Sequence, residues 1–114
     1  MPTQSFNIQV FEAVDPGDAG VILVEYPSIV ELTIGAGVET NTCAIPSFIG
    51  QILILSVNTV GAGTRAVTFA SAINKAGNTI ATFAAAGDIL ILMGVRVADV
   101  LCWRVVQNDG PTLS

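Results

Sequence analysis

The chain has 114 residues, of which 52% are hydrophobic and only 11% charged, and its formal net charge is −5. A chain of this length supports one hydrophobic core, and its four scattered basic residues offer no patch for nucleic acid or anionic lipid. No apolar run approaches the roughly 20 residues of a membrane-spanning helix, and residues 1–5 lack the charge and apolar segment of a secretion signal, so we expect neither.

Short apolar or alternating runs follow one another about every ten residues, with Gly, Pro, Asn and Asp between them. In the first run Phe6, Ile8 and Val10 alternate with polar residues, which is typical of a half-buried strand. The predicted strands are 6–10, 21–25, 28–34, 51–60, 65–69, 79–83, 89–93 and 100–106. We therefore predict an all-β fold, an antiparallel and jelly-roll-like β-sandwich of about eight strands.

Two Gly-Ala-Gly sequences interrupt this series. The first, Gly35–Gly37, ends a strand and opens a polar, threonine-rich connection over 39–42. The second, Gly61–Gly63, predicts a flexible hairpin loop. Residues 51–60 predict a central strand, because Ile52–Leu55 is apolar on both faces.

Three segments are predicted: an N-terminal strand or arm over 1–20, the sandwich over 21–110 and a polar tail over 111–114. The first segment is either an edge strand of its own sheet or an arm that adds to the sheet of a neighbouring chain. Four apolar side chains in it are candidate partner contacts: Phe6, Ile8, Val10 and Phe11.

Residue types suited to catalysis are missing. The chain has no histidine, which excludes the Ser-His-Asp and Cys-His mechanisms. Asp15, Asp18, Asp88 and Asp109 lie in or beside glycine-containing turns, where aspartate accepts backbone hydrogen bonds. We predict that the protein is not an enzyme and has no catalytic residue, no metal site and no cofactor.

Two cysteines and one tryptophan have alternative interpretations. Cys43 and Cys102 are predicted to be buried free thiols, with a disulfide between the two sheets as the alternative. Trp103 predicts either a core side chain or an aromatic platform for a sugar or a partner chain.

The low share of charged residues predicts an interface. A domain of this size buries roughly two-thirds of its unfolded surface, and so few charges cannot solvate the remainder. We therefore expect the excess apolar surface to contact other protein chains, in a homo-oligomer or a larger assembly.

Several stretches carry a resemblance to a known family. Residues 86–92, followed by Cys102–Val106 and Asn108–Gly110, are similar to the strand, spacer and Trp-x-Val-Val ending of small tailed-phage virion proteins. Ala44–Pro46 followed by Gly50–Leu53 is similar to the proline, glycine and strand step of the same proteins. On these residues the chain resembles the capsid decoration, or cement, proteins of tailed bacteriophages.

The resemblance implies a structural protein of the virion, assembled in the host cytoplasm and located on the outer capsid surface. It implies a homotrimer that sits over junctions between subunits of the major capsid protein and stabilises the shell. The chain departs from the family ending at 93–100, which is apolar where the family has a polar loop. Val95 and Val97 in this stretch are therefore further candidate partner contacts.

Two other functions remain open from the sequence. A receptor- or glycan-binding module of a phage fibre would carry exposed aromatic and polar residues at its loop ends. A cellular structural module unrelated to viruses would show the same composition.

Overall fold

The computed structural model describes residues 9–114, which form β-strands and connections and contain no helix that could cross a membrane. The strands are β1 Phe11–Ala13, β2 Val21–Ile22, β3 Ser28–Ile34, β4 Val38–Cys43, β5 Ile52–Val60, β6 Thr64–Phe69, β7 Ile80–Phe83, β8 Ile89–Val97, β9 Val100–Asp109 and β10 Thr112–Leu113. They form two five-stranded sheets, sheet A in the order β1-β3-β5-β8-β9 and sheet B in the order β2-β4-β6-β7-β10.

Each strand of sheet A is joined to a strand of sheet B by a short connection, which we call an arch. The arches join β1 to β2, β3 to β4, β5 to β6, β7 to β8 and β9 to β10. Backbone hydrogen bonds link the arches to neighbouring strands, for example from Gly61 N to the Ile34 carbonyl of β3 at 2.7 Å and from Gly87 N to the Val57 carbonyl of β5 at 2.9 Å. All five arches therefore lie at one end of the sandwich, the arch end.

This architecture confirms the predicted all-β sandwich, with two differences. The structure has ten strands where about eight were predicted, because the connection at 39–42 is part of β4 and short strands flank the core. The sheets are mixed and not antiparallel, since β1, β3 and β5 run parallel to one another, as do β2, β4 and β6. When the chain alternates between the two sheets through arches, successive strands of one sheet run parallel. In a jelly roll, hairpins join neighbouring strands of a sheet, which therefore run antiparallel.

The two Gly-Ala-Gly sequences are consecutive arches stacked on each other. Gly63 N donates to the Gly35 carbonyl at 3.0 Å, and Thr64 N donates to the Gly37 carbonyl at 3.2 Å. A Cβ atom on Gly61 would lie 2.7 Å from the Gly35 carbonyl oxygen, and one on Gly63 would collide with that of Gly37. The prediction of a hairpin loop at Gly61–Gly63 was wrong, because this segment joins strands of different sheets. Its glycines permit the close backbone stacking of this arch on the one before it.

Alternating side chains of both sheets fill the space between them. The predicted alternation of Val30, Leu32 and Ile34 is confirmed, since all three are buried in the core. β5 is the central strand of sheet A, as predicted, with Leu53 and Leu55 in the core. The connection between β6 and β7 closes one side, where buried Ile73 accepts a hydrogen bond from Val105 N of the edge strand β9 at 2.9 Å.

Both ends of the described chain belong to the sandwich. The predicted polar tail at 111–114 is instead strand β10, which pairs antiparallel with β7 because its backbone completes the edge of sheet B. Phe11 lies in β1, which pairs with β3 of its own chain and is therefore not part of a free arm. Residues 1–8, the first part of the predicted segment 1–20, lie outside the described residues.

One buried ion pair joins three successive arches. Arg65 is 1% exposed, and its guanidinium donates to Asp15 Oδ1 at 2.5 Å and to the Thr33 carbonyl at 2.7 Å. Glu39 Oε2 lies 3.6 Å from the same guanidinium. Burial raises the pKa of Asp15, but hydrogen bonds from Arg65, Thr33 N and Gly17 N and the charge of Arg65 hold it below its ordinary value.

The arch stacking can be tested with two alanine substitutions in matched positions. Gly63→Ala should lower the free energy of unfolding by about 1–3 kcal/mol, because the new methyl group collides with the backbone of the neighbouring arch. Gly37→Ala is the control, since a Cβ atom there meets nothing within 4 Å. Urea denaturation of both variants measures the difference, and equal losses would contradict the stacking.

The ion pair should make the free energy of unfolding depend on pH. Asp15→Asn is expected to cost about 3 kcal/mol near neutral pH, because it leaves the buried Arg65 without its nearest carboxylate. Since the pKa of Asp15 is lowered by folding, its contribution is complete above the unfolded value of about 3.9 and is lost as the pH falls through the folded value.

Denaturation curves of parent and Asp15→Asn should therefore converge as the pH is lowered below about 4. The exposed Glu25→Gln variant, whose side chain has no ion pair among residues 9–114, serves as the control and should follow the parent at each pH. A constant difference between Asp15→Asn and parent across this range would mean that the carboxylate charge is not what stabilises the arches.

Candidate interaction surfaces

The outer face of sheet A is apolar. On β3, β5 and β8 the side chains that alternate with core residues point away from sheet B, and the strand register places Ile29, Ile54 and Ile91 in one row. Ile52 and Met93 form the next row. We call this surface the A face; Ile52 and Cys102 are buried on it, and its half-buried side chains are Ile29, Ile54, Ile91, Met93 and Val95. A solvated sheet face would carry polar side chains at these positions.

The corresponding face of sheet B is polar. Its outward positions are occupied mainly by threonines, which solvate a sheet surface without carrying charge. They are Thr40, Thr42, Thr64, Thr68, Thr82 and Thr112. Val21 and Val38 are exposed apolar exceptions on sheet B, so the two outer faces differ in their share of apolar side chains and not in kind.

The two margins of the A face carry opposite charges. Glu12 on β1 is paired in register with Ile29, so its exposed carboxylate lies at one margin. Arg104 on β9 is paired with Met93 and lies at the other. Arg104 forms no ion pair among residues 9–114, and its Nε atom is enclosed without a hydrogen-bond partner.

The end of the sandwich opposite the arches carries several exposed apolar side chains, beside the exposed charged residues Glu25, Arg96 and Asp99. The loop between β4 and β5 contacts the base of the β8–β9 hairpin, where Gly50 N donates to the Gly94 carbonyl at 2.8 Å. Phe48 is 44% exposed in this loop and Val100 is 60% exposed at the hairpin tip. We call this surface the apolar end; its exposed side chains are Leu23, Ile45, Phe48, Ile49, Val97 and Val100.

The arch end is acidic. Five of the nine acidic residues of the chain lie in the arches or beside them, whereas Arg65 is the one basic residue there and is buried. These acidic residues are Asp15, Asp18, Glu39, Asp88 and Asp109. Several have structural partners, such as Asp88, whose Oδ2 accepts hydrogen bonds from Ala84 N and Ala85 N.

The predicted contact residues lie in different places. Val10 is half-buried just before β1, and Phe11 is exposed in β1, where its ring packs edge-to-face on Tyr26 at 5.7 Å. Val95 belongs to the A face and Val97 to the apolar end. Phe6 and Ile8 lie outside the described residues, and a contact of theirs with a neighbour stays a prediction.

Sequence reasoning missed most of both apolar surfaces. It placed β5 in the interior, where Ile52, Leu53 and Leu55 are buried, whereas Ile54 is half-buried on the outer face of sheet A. The signal was present, because Ile52–Leu55 and Ile89–Met93 are apolar at consecutive positions in neighbouring strands. The exposed Phe48 and Ile49 had no such signal, since loop residues follow no alternation.

Trp103 is a core residue and not an exposed platform. It is buried, and its Nε1 donates to the Ala44 carbonyl at 2.8 Å. Cys43 and Cys102 are free, buried thiols. Burial raises the pKa of Cys43 to about 12, which a hydrogen bond with Trp103 only partly offsets. Among residues 9–114, no three His, Cys, Asp or Glu side chains come together as a metal site.

The burial of both thiols predicts their reactivity. Iodoacetamide at mildly alkaline pH should label neither Cys43 nor Cys102 in the folded protein, because the thiolate that reacts is suppressed or inaccessible. After denaturation without a reductant, mass spectrometry should find two adducts. Rapid labelling of the folded protein would contradict the burial, and no adducts after denaturation would indicate a disulfide.

No protein-family model matches the chain, and no curated protein or solved structure matches it.

Proposed function

We propose that the protein is a non-enzymatic structural protein of a bacteriophage virion, which binds the outer surface of the assembled capsid and stabilises it. The observation that carries this proposal is the group of exposed apolar side chains at the end of the sandwich opposite the acidic arches. The apolar end offers exposed side chains such as Phe48 and Ile49 to another protein surface. The acidic arch end suits a surface that faces solvent and repels other anionic particles.

The protein would act by binding and not by chemistry. A protein that binds the expanded shell more tightly than the unexpanded or broken shell stabilises the expanded state through linkage. Each contact can be modest, because a trimer engages several subunits of the major capsid protein at once and its contacts act together. The sandwich is a rigid support for this, since buried core residues and arch hydrogen bonds fix the apolar end.

A glycan-binding role is the second candidate, and one observation favours it. Phe11 and Tyr26 are both exposed and line an open depression of about 500 Å³ together with the carboxylate of Glu12. Exposed aromatic rings beside an acceptor group can bind the apolar face and a hydroxyl of a sugar. This site would serve a receptor-recognition module of a phage fibre.

Binding to shells tests the proposed function. Phe48→Ser and Val100→Ser should each weaken binding to expanded shells by about tenfold or more, because each removes a large exposed apolar contact. Val38→Ser is the matched control, since Val38 is 77% exposed but lies at the start of β4, near the arches. Cosedimentation measures binding, and the melting temperature of the shells measures stabilisation.

Three results would contradict the proposal. The parent could fail to bind shells, or the three substitutions could weaken binding equally, or bound protein could leave the melting temperature of the shells unchanged. Binding to host-cell glycans that Tyr26→Ala abolishes would support the second candidate instead.

A further inference from the structure

We propose that Phe11, Tyr26 and Glu12 form a binding site for a methylated ammonium group, such as the trimethylammonium of choline or of a trimethylated lysine side chain. The site lies at the β1 edge of sheet A, where Phe11 and Glu12 belong to β1 and Tyr26 precedes β3. None of the three residues belongs to the apolar end, so ligand binding here does not depend on the proposed binding to shells.

Two exposed aromatic rings form the walls of this site. Phe11 is 50% exposed and Tyr26 is 36% exposed, their ring centroids lie 5.7 Å apart, and their ring planes are at 89° to each other. Rings that meet at a right angle present two faces to one corner. Each face carries the negative part of the ring quadrupole, so a cation in the corner is attracted by both rings at once.

The backbone holds both rings in position before a ligand binds. Phe11 N donates to the Pro27 carbonyl at 2.9 Å, which ties β1 to the chain just before β3. Pro27 disfavours helical conformations of Tyr26, and the Tyr26 carbonyl accepts a hydrogen bond from Ser28 Oγ at 2.9 Å. A site that is formed in advance loses less conformational entropy on binding than a site that must order its side chains.

The charges around the rings are negative. Glu12 lines the same open depression of about 500 Å³, and its exposed side chain forms no ion pair among residues 9–114. Glu25, directly before Tyr26, is also exposed. The four basic residues of the chain lie on other elements, namely Arg65 on β6, Lys75 after it, Arg96 on β8 and Arg104 on β9. Since β9 is the opposite edge of sheet A, the electrostatic field at the β1 edge favours a cation.

A methylated ammonium needs fewer polar partners than a sugar or a primary ammonium. A sugar carries several hydroxyl groups, and each one that is buried without a hydrogen bond costs free energy. The polar side chains that line the depression within residues 9–114 are those of Tyr26 and Glu12 alone. A primary ammonium is strongly hydrated and has three N–H donors to satisfy. A trimethylammonium has no such donor, and its methyl groups pack on aromatic faces while its charge faces the carboxylate.

Titration of the full chain with choline, followed through the proton NMR signal of the choline methyl groups, tests the site. Binding with about millimolar affinity should shift this signal upfield, because the methyl protons lie over aromatic faces. The neutral tert-butyl analogue of choline, which has carbon in place of the charged nitrogen, should bind the parent at least about tenfold more weakly. Binding of choline or of Nε-trimethyllysine supports the site, and the tighter of the two identifies the source of the group as a headgroup or a protein side chain.

Substitutions locate the binding on the protein. Phe11→Leu and Tyr26→Leu should each weaken choline binding by about tenfold, because leucine keeps an apolar side chain but has no ring face. Glu12→Gln should weaken binding by about threefold, because it removes a nearby negative charge and leaves both rings in place. Glu31→Gln is the matched control, since Glu31 is an exposed acid on β3 of the same sheet that does not line the depression, and it should leave the affinity unchanged.

Several outcomes would overturn the proposed site. The parent could fail to bind choline and Nε-trimethyllysine, or it could bind choline and the neutral analogue equally well, which needs no variant to be measured. Choline affinity that is unchanged in folded Phe11→Leu and Tyr26→Leu would place the binding elsewhere. Binding of methyl glucoside in place of choline would overturn the site and support the glycan-binding candidate. A parent that binds choline as expected but does not bind shells would leave this site standing and refute the proposed function alone.

Discussion

Backbone hydrogen bonds between Gly35–Gly37 and Gly61–Gly63 hold two successive arches one strand spacing apart. At that distance a methyl group on Gly63 has no room, so the stack requires glycine where the peptide planes meet. The same stacking brings Asp15, from one arch, next to Arg65, which lies in β6 just after another arch, and the two form a buried ion pair. The parallel strands, the position of the charges and the separation of the two ends all follow from this arrangement.

Because every arch lies at one end, the two ends of the molecule carry different kinds of connection. Arches are short and turn sharply, which favours glycine and aspartate and concentrates acidic residues there. The opposite end carries the longer loop between β4 and β5 and the β8–β9 hairpin, which can project apolar side chains. The exposed apolar side chains on which the proposed function depends therefore reflect both the topology, which places these two connections at one end, and the residues that they contain.

Much of the fold could be predicted from local pattern. Alternation identified β3, and the run Ile52–Leu55 identified the central strand, because burial repeats every second residue within a strand. Pairing could not be predicted, since a glycine turn between strands is compatible with a hairpin and with an arch, and only contacts distant in sequence distinguish them. The 26-residue offset between the Gly-Ala-Gly sequences was the available signal, because stacked arches repeat their turn residues. Among the surface residues, Val95 and Val97 could be predicted from the apolar stretch of the β8–β9 hairpin. The positions of Phe48 and Arg104 could not, because they depend on which elements pack beside them.

A stack of arches is in principle open-ended, since the last strand of each sheet offers its unpaired backbone to another chain. In this protein the connection between β6 and β7 folds over the edge of sheet A, and Ile73 uses one of the free N–H groups of β9. Ile73 is also part of the core, so the connection between β6 and β7 cannot leave the edge of sheet A without exposing this side chain to water. This contact occupies the middle of the β9 edge, so a strand of another chain cannot pair with β9 along its full length.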